Sequence, residues 1–404
     1  MTLSKSYNGP GNAGNWPAAS DLRVIVVSDA IASRNGVGSY YTDLVGHLRD
    51  HLAHAELISP GSGNDNHAHS LTFPLPGDAT QRVYLPRFRQ VREKIRKVSP
   101  HLIIISTPGP YGLLGFAAAR LQGVTICAGY HTRYEKLTQL YWVSAFSAAS
   151  RLYMKWINRV LFGSSARVVA NSAEMAEEAR RDGAEVAEMI GTPIAKTFLA
   201  DPPAALPPQL ASVCYAGRLA LEKNIHGILE AAKNLPHIRF TIAGDGPLRE
   251  QVAGHARDCA NIIYAGWISR DRVKKLIDDS DMLLLPSEVE AFGTIALEAM
   301  ARRRLVLVSE NCGILDWPDM AAGVYTVSKK ESLADAISRI AGLSHGERLQ
   351  KAEVARAAAK AFNDQTIRQW IELFAGVTAD SHRPGNNEKQ PLQKLRKKRN
   401  CLRA

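Results

Sequence analysis

Apolar positions along the chain fall into two alternating kinds of run. Short continuous apolar stretches at 22–27, 102–105, 124–128, 168–170, 212–216, 240–243, 262–265 and 282–285 have the length and composition of strands buried on both faces. Between them lie positions with a helical period: Tyr40, Leu44, Val45 and Leu48; Phe88, Val91, Ile95 and Val98; Ile295, Leu297 and Met300; and Ile367, Trp370, Ile371 and Phe374. Strands alternating with helices predict doubly wound parallel sheets, an α/β architecture. Residues 192–208 interrupt the pattern with Pro193, Pro202, Pro203, Pro207 and Pro208, which predicts a linker. At 404 residues, two cores are expected rather than one. The expected division is a Gly-, Asn-, Pro- and Ser-rich disordered segment over 1–20, a first Rossmann-like unit over 21–191, a linker over 192–210, a second Rossmann-like unit over 211–362, a helix over 363–378 starting at Asn363 or Asp364, and a basic disordered tail over 379–404.

Open parallel sheets bind ligands beyond the carboxyl ends of their strands, so the loops after the predicted strands carry the candidate chemistry. The first strand leads through 28–34 to Asn35-Gly36-Val37-Gly38-Ser39 and a helix. That turn can bring backbone close to a phosphate, but it is not G-x-G-x-x-G and by itself reads as a tight turn. The strand at 124–128 delivers Gly129-Tyr130-His131-Thr132; a lone histidine is usually structural, and its place at a strand end is what marks His131. After 212–216 come Arg218 and Lys223, and after 240–243 an Asp245-Gly246 turn. The strand at 282–285 opens into Pro286 and a polar loop, then Ala291-Phe292-Gly293-Thr294 at a helix start. A helix N-terminus offers unpaired N–H groups and positive dipole, which suits a phosphate. Gly293 removes the side chain where a ligand would approach. Glu298 lies about 7–8 Å along that helix, within reach of a ribose diol, while Glu290 faces the other end of such a ligand. The plain alternative is a solvated pair of helix-end glutamates.

Charge and composition narrow the picture. The net charge is +11. Residues 380–404 hold eight Lys/Arg against two Asp/Glu, leaving a moderately basic body that suits an anionic ligand or surface. A basic helix is expected over 82–97, where seven cations stand against Glu93, either a solvated face or a surface for acidic headgroups. Residues 140–162 are aromatic and apolar, interrupted by Arg151, Lys155 and Arg159, and predict an amphipathic helix with partial membrane contact as the alternative. No apolar run reaches the ~20 residues that span a bilayer, and no signal-peptide pattern opens the chain. A cytoplasmic protein is therefore expected, with peripheral contact on the inner face of a membrane as the alternative that the cations and the aromatic segment leave open. The five cysteines (Cys127, Cys214, Cys259, Cys312, Cys401) show no metal or redox spacing. His67 and His69, in the turn-rich stretch 60–81, read as solvated, and Asp278-Asp279-Ser280-Asp281 reads as structural. Neither a metal nor a cofactor is expected, and no nucleic-acid-reading motif is present.

Pro286-Ser287-x-x-Glu290-x-Phe292-Gly293-x-x-x-x-Glu298-Ala299-Met300, with Gly217-Arg218-Leu219-x-x-Glu222-Lys223-Asn224, resembles the signature of retaining glycosyltransferase family 4. The resemblance runs from about 21 to 377 and is strongest over 217–300. It implies the GT-B fold, with a first acceptor domain and a second donor domain facing a cleft, and a late helix crossing back onto the first. It implies a metal-independent hexosyltransferase that uses a nucleotide-diphosphate sugar, UDP-sugar rather than GDP-mannose, with retention of configuration. His131, Arg218, Lys223 and Glu290 would be catalytic: Arg218 and Lys223 on the diphosphate, Glu290 on the donor sugar, His131 on the sugar and the incoming hydroxyl. Donor binding would fall to Glu298 on the ribose, to Ile268 on the base through main chain, to backbone at Ala291, Phe292, Gly293 and Thr294 on the distal phosphate, and to Gly36 across the cleft. Two stretches depart from the family pattern: Arg133-Tyr134-Glu135 after the histidine, and Cys312-Gly313 where paired glycines are usual. Asn35-Gly36-Val37 is similar to the turn of lipid-directed glucosyl-, sulfoquinovosyl- and mannosyltransferases. It favours a membrane lipid acceptor over a saccharide or other soluble one. The rival function is a nucleotide-sugar-binding regulatory or scaffold protein without turnover.

Overall fold

The computed structural model describes residues 19–31, 36–60, 71–75, 78–131 and 144–381. The polar N-terminal segment, Asn35, His67, His69, 132–135 with Thr132, and the basic tail with Cys401 lie outside the described residues.

Two six-stranded sheets carry the fold. The first holds β1 (Arg23–Val27) and β2 (His54–Ile58); the chain then forms an antiparallel hairpin of β3 (Leu71–Leu75) and β4 (Asp78–Leu85). It returns to the sheet with β5 (Leu102–Ile105), β6 (Thr125–Tyr130), β7 (Arg167–Ala170) and β8 (Ala187–Met189). Strand order is β2-β1-β5-β6-β7-β8, all parallel. The second sheet holds β9 (Ser212–Ala216), β10 (Arg239–Ala243), β11 (Ile262–Gly266), β12 (Met282–Leu285), β13 (Leu305–Ser309) and β14 (Tyr325–Val327). Its order is β11-β10-β9-β12-β13-β14, again parallel. Both are doubly wound, and the order reverses between β1 and β5 and between β9 and β12, where such sheets seat their ligands.

Period-two alternation explains why these strands read as continuous apolar runs. Ile25, Val27, Ile103 and Ile105 face one core while Val24, Val26, Leu102 and Ile104 face another. In the second sheet Met282 and Leu284 point one way, and Leu283 and Leu285 the other. Helices cover both faces, so neither side of a central strand meets water.

The helix expected over 363–378 is the last part of a single helix, His345–Ser381. Asn363 does not start a helix: its side chain accepts from the Ile194 N–H at 2.9 Å and fastens the linker instead. Ala355, Ala359 and Phe362 pack in the second half, whereas Ile367, Trp370, Phe374 and Val377 pack with β1 residues in the first. One rigid rod thus joins both cores. The 192–210 stretch contains a short helix, Lys196–Ala200, whose Phe198 is buried. Arg302 and Arg304, also buried, hold this stretch by donating to the carbonyls of Asp201 and Ala205.

Two further expectations are corrected. The turn-rich stretch around 71–81 contributes to the β3–β4 hairpin, because pairing supplies the order that its composition does not advertise. Arg82 accordingly lies in β4, and the basic helix spans Phe88–Val98, with Val91 and Ile95 buried and Arg89, Arg92 and Arg96 exposed.

Candidate active site

The loops that leave β9 and β12 lie on either side of the switch point of the second sheet. After β9 the chain makes a 3-10 turn, Leu221–Lys223, ended by Asn224 in the left-handed region. The Asn224 side chain then caps the Ile225–Asn234 helix by accepting from Gly227 N–H at 3.2 Å. The loop is pressed against the turn after β10: a Cβ on Gly244 would fall 1.8 Å from the Gly217 carbonyl oxygen. This packing fixes where Arg218 and Lys223 begin.

Lys223 Nζ donates to Glu290 Oε2 at 2.7 Å, and the Ser287 hydroxyl reaches the same oxygen at 3.4 Å. Arg218 Nη1 donates to Glu222 Oε1 at 3.1 Å, and Glu222 is buried. Burial pulls Lys223 down, but the Glu290 charge and hydrogen bond outweigh it and leave its pKa above the ordinary lysine value. Arg218–Glu222 and Lys223–Glu290 are two ion pairs, and the Glu222 charge also acts on Lys223, so the pairs assembled from the two loops feel one another.

The loop after β12 is braced from behind. Ser309 Oγ donates to the Ser287 carbonyl at 2.5 Å, Cys312 Sγ to the Phe292 carbonyl at 3.2 Å, and Gly313 N–H to the Glu290 carbonyl at 3.1 Å. A Cβ on Gly313 would lie 2.0 Å from the Ala291 carbonyl oxygen, so glycine there permits the contact. The segment over 309–316 buttresses the site. Gly293 has φ of 99°, and a Cβ there would crowd Leu285 and Cys312. Backbone conformation and packing within the protein already require this glycine. The Phe292 ring is buried and stacks on Phe362 at 5.6 Å, so only its main chain can serve a ligand. Ala291 and Thr294 are half-buried beside it, at the start of the Thr294–Ala301 helix.

Glu298 belongs to a different cluster. Buried in the same helix, it is paired with Arg270 Nη2, and that nitrogen also donates to Asp43 Oδ2 at 2.5 Å. Asp43 comes from the Gly36–Leu48 helix of the first half. Ile268, half-buried, lies two residues before Arg270 in the loop after β11.

On the first half, His131 follows β6 directly and is buried. Its Nε2 is 2.8 Å from the Tyr41 hydroxyl, the Tyr40 ring lies 4.3 Å away, and Nδ1 has no partner among the described residues. Burial lowers its pKa to about 3, so the imidazole is neutral near pH 7. Tyr40 is held by Trp370, whose indole donates to its hydroxyl at 3.0 Å. Gly36 is exposed at the first position of its helix, with nothing within 4 Å of where a Cβ would stand. The two halves touch through Asp43 and Arg270, and through the Trp317 indole, which donates to the Asn171 carbonyl at 3.3 Å.

The carboxylates at 278–281 are engaged elsewhere. Asp278 takes a two-pronged contact from Arg302 at 2.7 and 2.9 Å, and Asp281 accepts from the Ala211 and Ser212 N–H groups. Sequence reasoning missed Tyr41, Asp43 and Arg270. The available signal was in the helix pattern: Asp43 stands on the stripe of Tyr40, Leu44 and His47, an acid where apolar residues are buried.

Two family models match the chain. Glycosyl transferases group 1 covers residues 201–360, and Glycosyltransferase Family 4 covers residues 34–194. An alpha-D-kanosaminyltransferase of Streptomyces kanamyceticus is 30% identical over 137 residues, 32% of this chain and 36% of that protein. A sulfoquinovosyl transferase of Arabidopsis thaliana is 24% identical over 255 residues, 61% of this chain and 50% of its own length. These matches thus span about a third to a half of the relatives' lengths. In three dimensions, sucrose-phosphate synthase from Thermosynechococcus elongatus superposes with a TM-score of 0.69 at 17% identity, covering 89% of this chain and 100% of that one. An Anabaena protein, HepE, in complex with UDP and glucose gives 0.62 at 14% identity, with 88% and 99% covered. Both models fall on the halves that the two sheets define, and the chain belongs to glycosyltransferase family 4, with the GT-B fold.

Proposed function

We propose that the protein transfers a hexose from a nucleotide-diphosphate sugar to a hydroxyl acceptor, with retention of configuration. A UDP-sugar is favoured over GDP-mannose. The observation that carries this reading is the Lys223–Glu290 pair at the switch point of the second sheet, with Arg218 beside it and the start of the Thr294–Ala301 helix behind. The chemistry asks for stabilisation of negative charge on the departing diphosphate. Lys223 has three donor hydrogens and Glu290 accepts one of them, so the ammonium can serve a phosphate oxygen without losing its partner. Arg218 adds a planar fork, and the first N–H groups of the helix add fixed dipoles. Glu290, held by Lys223 and Ser287, has acceptor capacity left for the sugar hydroxyls. A neutral His131 offers Nδ1 to the incoming hydroxyl, because Nε2 is engaged by Tyr41. Glu298 accepts from the ribose diol.

A membrane lipid is the favoured acceptor, from one feature of the Ser144–Gly163 helix. Its outer face exposes Leu152, Tyr153 and Trp156 beside Lys155 and Arg159. Its inner face sends Asn158, Leu161 and Phe162 into the pocket that His131 also lines. An apolar, cation-flanked surface next to the acceptor side suits a bilayer with acidic headgroups. No described helix is long and apolar enough to cross a membrane, so the contact would be peripheral.

The deciding measurement is turnover of UDP- and GDP-sugars by the purified chain, as transfer or as donor hydrolysis, with and without a chelator. Nucleotide-sugar binding with no turnover on any acceptor would favour the non-catalytic rival. Abolition by the chelator, restored by a divalent ion, would end the metal-independent mechanism. Co-sedimentation with anionic and neutral vesicles tests the lipid; no binding to either would remove it.

A further inference from the structure

Asp43 and Glu298 come from opposite halves of the chain, both are buried, and one terminal nitrogen of Arg270 serves both. That nitrogen carries two hydrogens, so each carboxylate can take one. The guanidinium carbon sits 5.6 Å over the Phe198 ring, which confines it from another side. One oxygen of Glu298 is therefore held by the Arg270–Asp278 helix, and Arg270 is itself held by the Gly36–Leu48 helix of the first half. Burial raises the Glu298 carboxyl toward its neutral form, and the charge and hydrogen bond of Arg270 oppose that. A protonated carboxyl gives up acceptor capacity, and a diol needs two acceptor sites.

We infer that Arg270 is a positioning residue for the nucleotide seat: it aims the Glu298 carboxylate, and Asp43 fixes Arg270 from the first half, so the seat is complete only when the two halves meet. This rests on the reading of Glu298 as the ribose ligand. The charged groups that face Glu298 among the described residues are Arg270 and, through it, Asp43. Removing Arg270 leaves a buried carboxyl that takes up a proton more readily, so the resulting defect depends on pH. A strut that merely joined the halves would give a defect that follows Asp43, raised to about 7, and its pH dependence would vanish in an Asp43→Ala/Arg270→Gln double variant, where a defect that runs through Glu298 keeps it.

The test is calorimetric titration of the full chain with UDP and with GDP, for wild type, Arg270→Gln, Arg270→Lys, Asp43→Ala and the Asp43→Ala/Arg270→Gln double variant, with melting curves and donor KM and kcat beside it. Arg270→Gln is expected to weaken nucleotide binding about tenfold or more near pH 6, with the loss shrinking as pH rises. Arg270→Lys restores charge and donors and should recover most of the affinity. Asp43→Ala should raise the donor KM about threefold to tenfold with little change in kcat. An Arg270→Gln protein that binds as wild type does, or whose loss is the same at every pH and not rescued by lysine, would overturn the inference. If Arg270→Gln does not fold, an unchanged donor KM in Asp43→Ala overturns it equally. Wild-type protein that binds neither nucleotide would instead sink the ribose reading, and this inference with it.

Discussion

Around His131 the described residues are aromatic and uncharged, with Tyr40 and Tyr41 against the ring; around Lys223 the second half is a set of ion pairs. The proposed function accounts for the contrast by what each side would hold. A diphosphate leaving group develops charge, and preorganised cations stabilise it without reorganising at the moment of reaction. Those cations stay soluble in the protein because Glu290 and Glu222 accompany them. An acceptor hydroxyl is neutral on arrival, and a buried neutral imidazole can orient it in an apolar pocket where a charge would be costly. On the proposed function, charge would sit on the donor side and shape on the acceptor side.

The sharpest way to break that comparison is Lys223→Ala. It should cost about 3 kcal/mol of transition-state stabilisation, more than a hundredfold in kcat, by the scale of a lost oxyanion donor. Arg218→Lys should lose less, because charge remains and only the fork is gone. Steady-state transfer or donor hydrolysis reads both, and near-normal turnover in Lys223→Ala would remove the charged side of the contrast.

His131→Ala comes next, with an expected loss of about tenfold to a hundredfold in turnover. The sign of its pKa shift sharpens the point. Burial lowers it to about 3, so no limb of the pH–rate profile near its ordinary value belongs to this residue. A limb between about pH 6 and 7 that vanishes in His131→Asn would show a titrating histidine and contradict the neutral acceptor side.

Glu298→Gln should weaken nucleotide binding about tenfold, roughly 1.4 kcal/mol, since an amide accepts fewer diol hydrogen bonds than a carboxylate. Calorimetry against UDP measures it, and unchanged affinity would place the ribose elsewhere.

The smallest effect is expected where the halves meet. Burial, opposed by Arg270 and reinforced by Glu298, raises Asp43 from 3.8 to about 7. A raised carboxyl contributes stability that is present below its unfolded value and lost as pH rises through the folded one. Asp43→Asn, which cannot ionise, should therefore gain on wild type by a few degrees in Tm between about pH 4 and 7. A gap that stays constant or narrows over that range would show that Asp43 is ionised throughout.

Much of this was legible locally. Runs such as Met282–Leu285 are strands because both faces of a central parallel strand are buried, and burial leaves a mark on every residue. Arg218, Lys223 and Glu290 were legible because each follows a strand end within a few residues, so the local order of elements places it. The Phe88–Val98 helix showed its core stripe for the same reason. The β3–β4 hairpin was not legible, since its order comes from pairing rather than from apolar content. Nor was the length of the His345–Ser381 helix, where Asn363 looks like a cap and instead accepts from a linker amide 169 residues away.

By itself the sequence determined the two doubly wound units and the family signature, because period, turn chemistry and strand-end placement are properties of neighbouring residues. The tertiary structure alone decided which charge meets which. It joined Lys223 to Glu290 and Arg270 to both Asp43 and Glu298, and it closed Tyr41 on His131. It also showed that Gly293 is demanded by backbone conformation and by Leu285 and Cys312. These pairings run between loops and helices as far apart as residues 43 and 270, and no local pattern records a contact made across two sheets. Only the packing of the two halves brings those side chains within hydrogen-bonding reach.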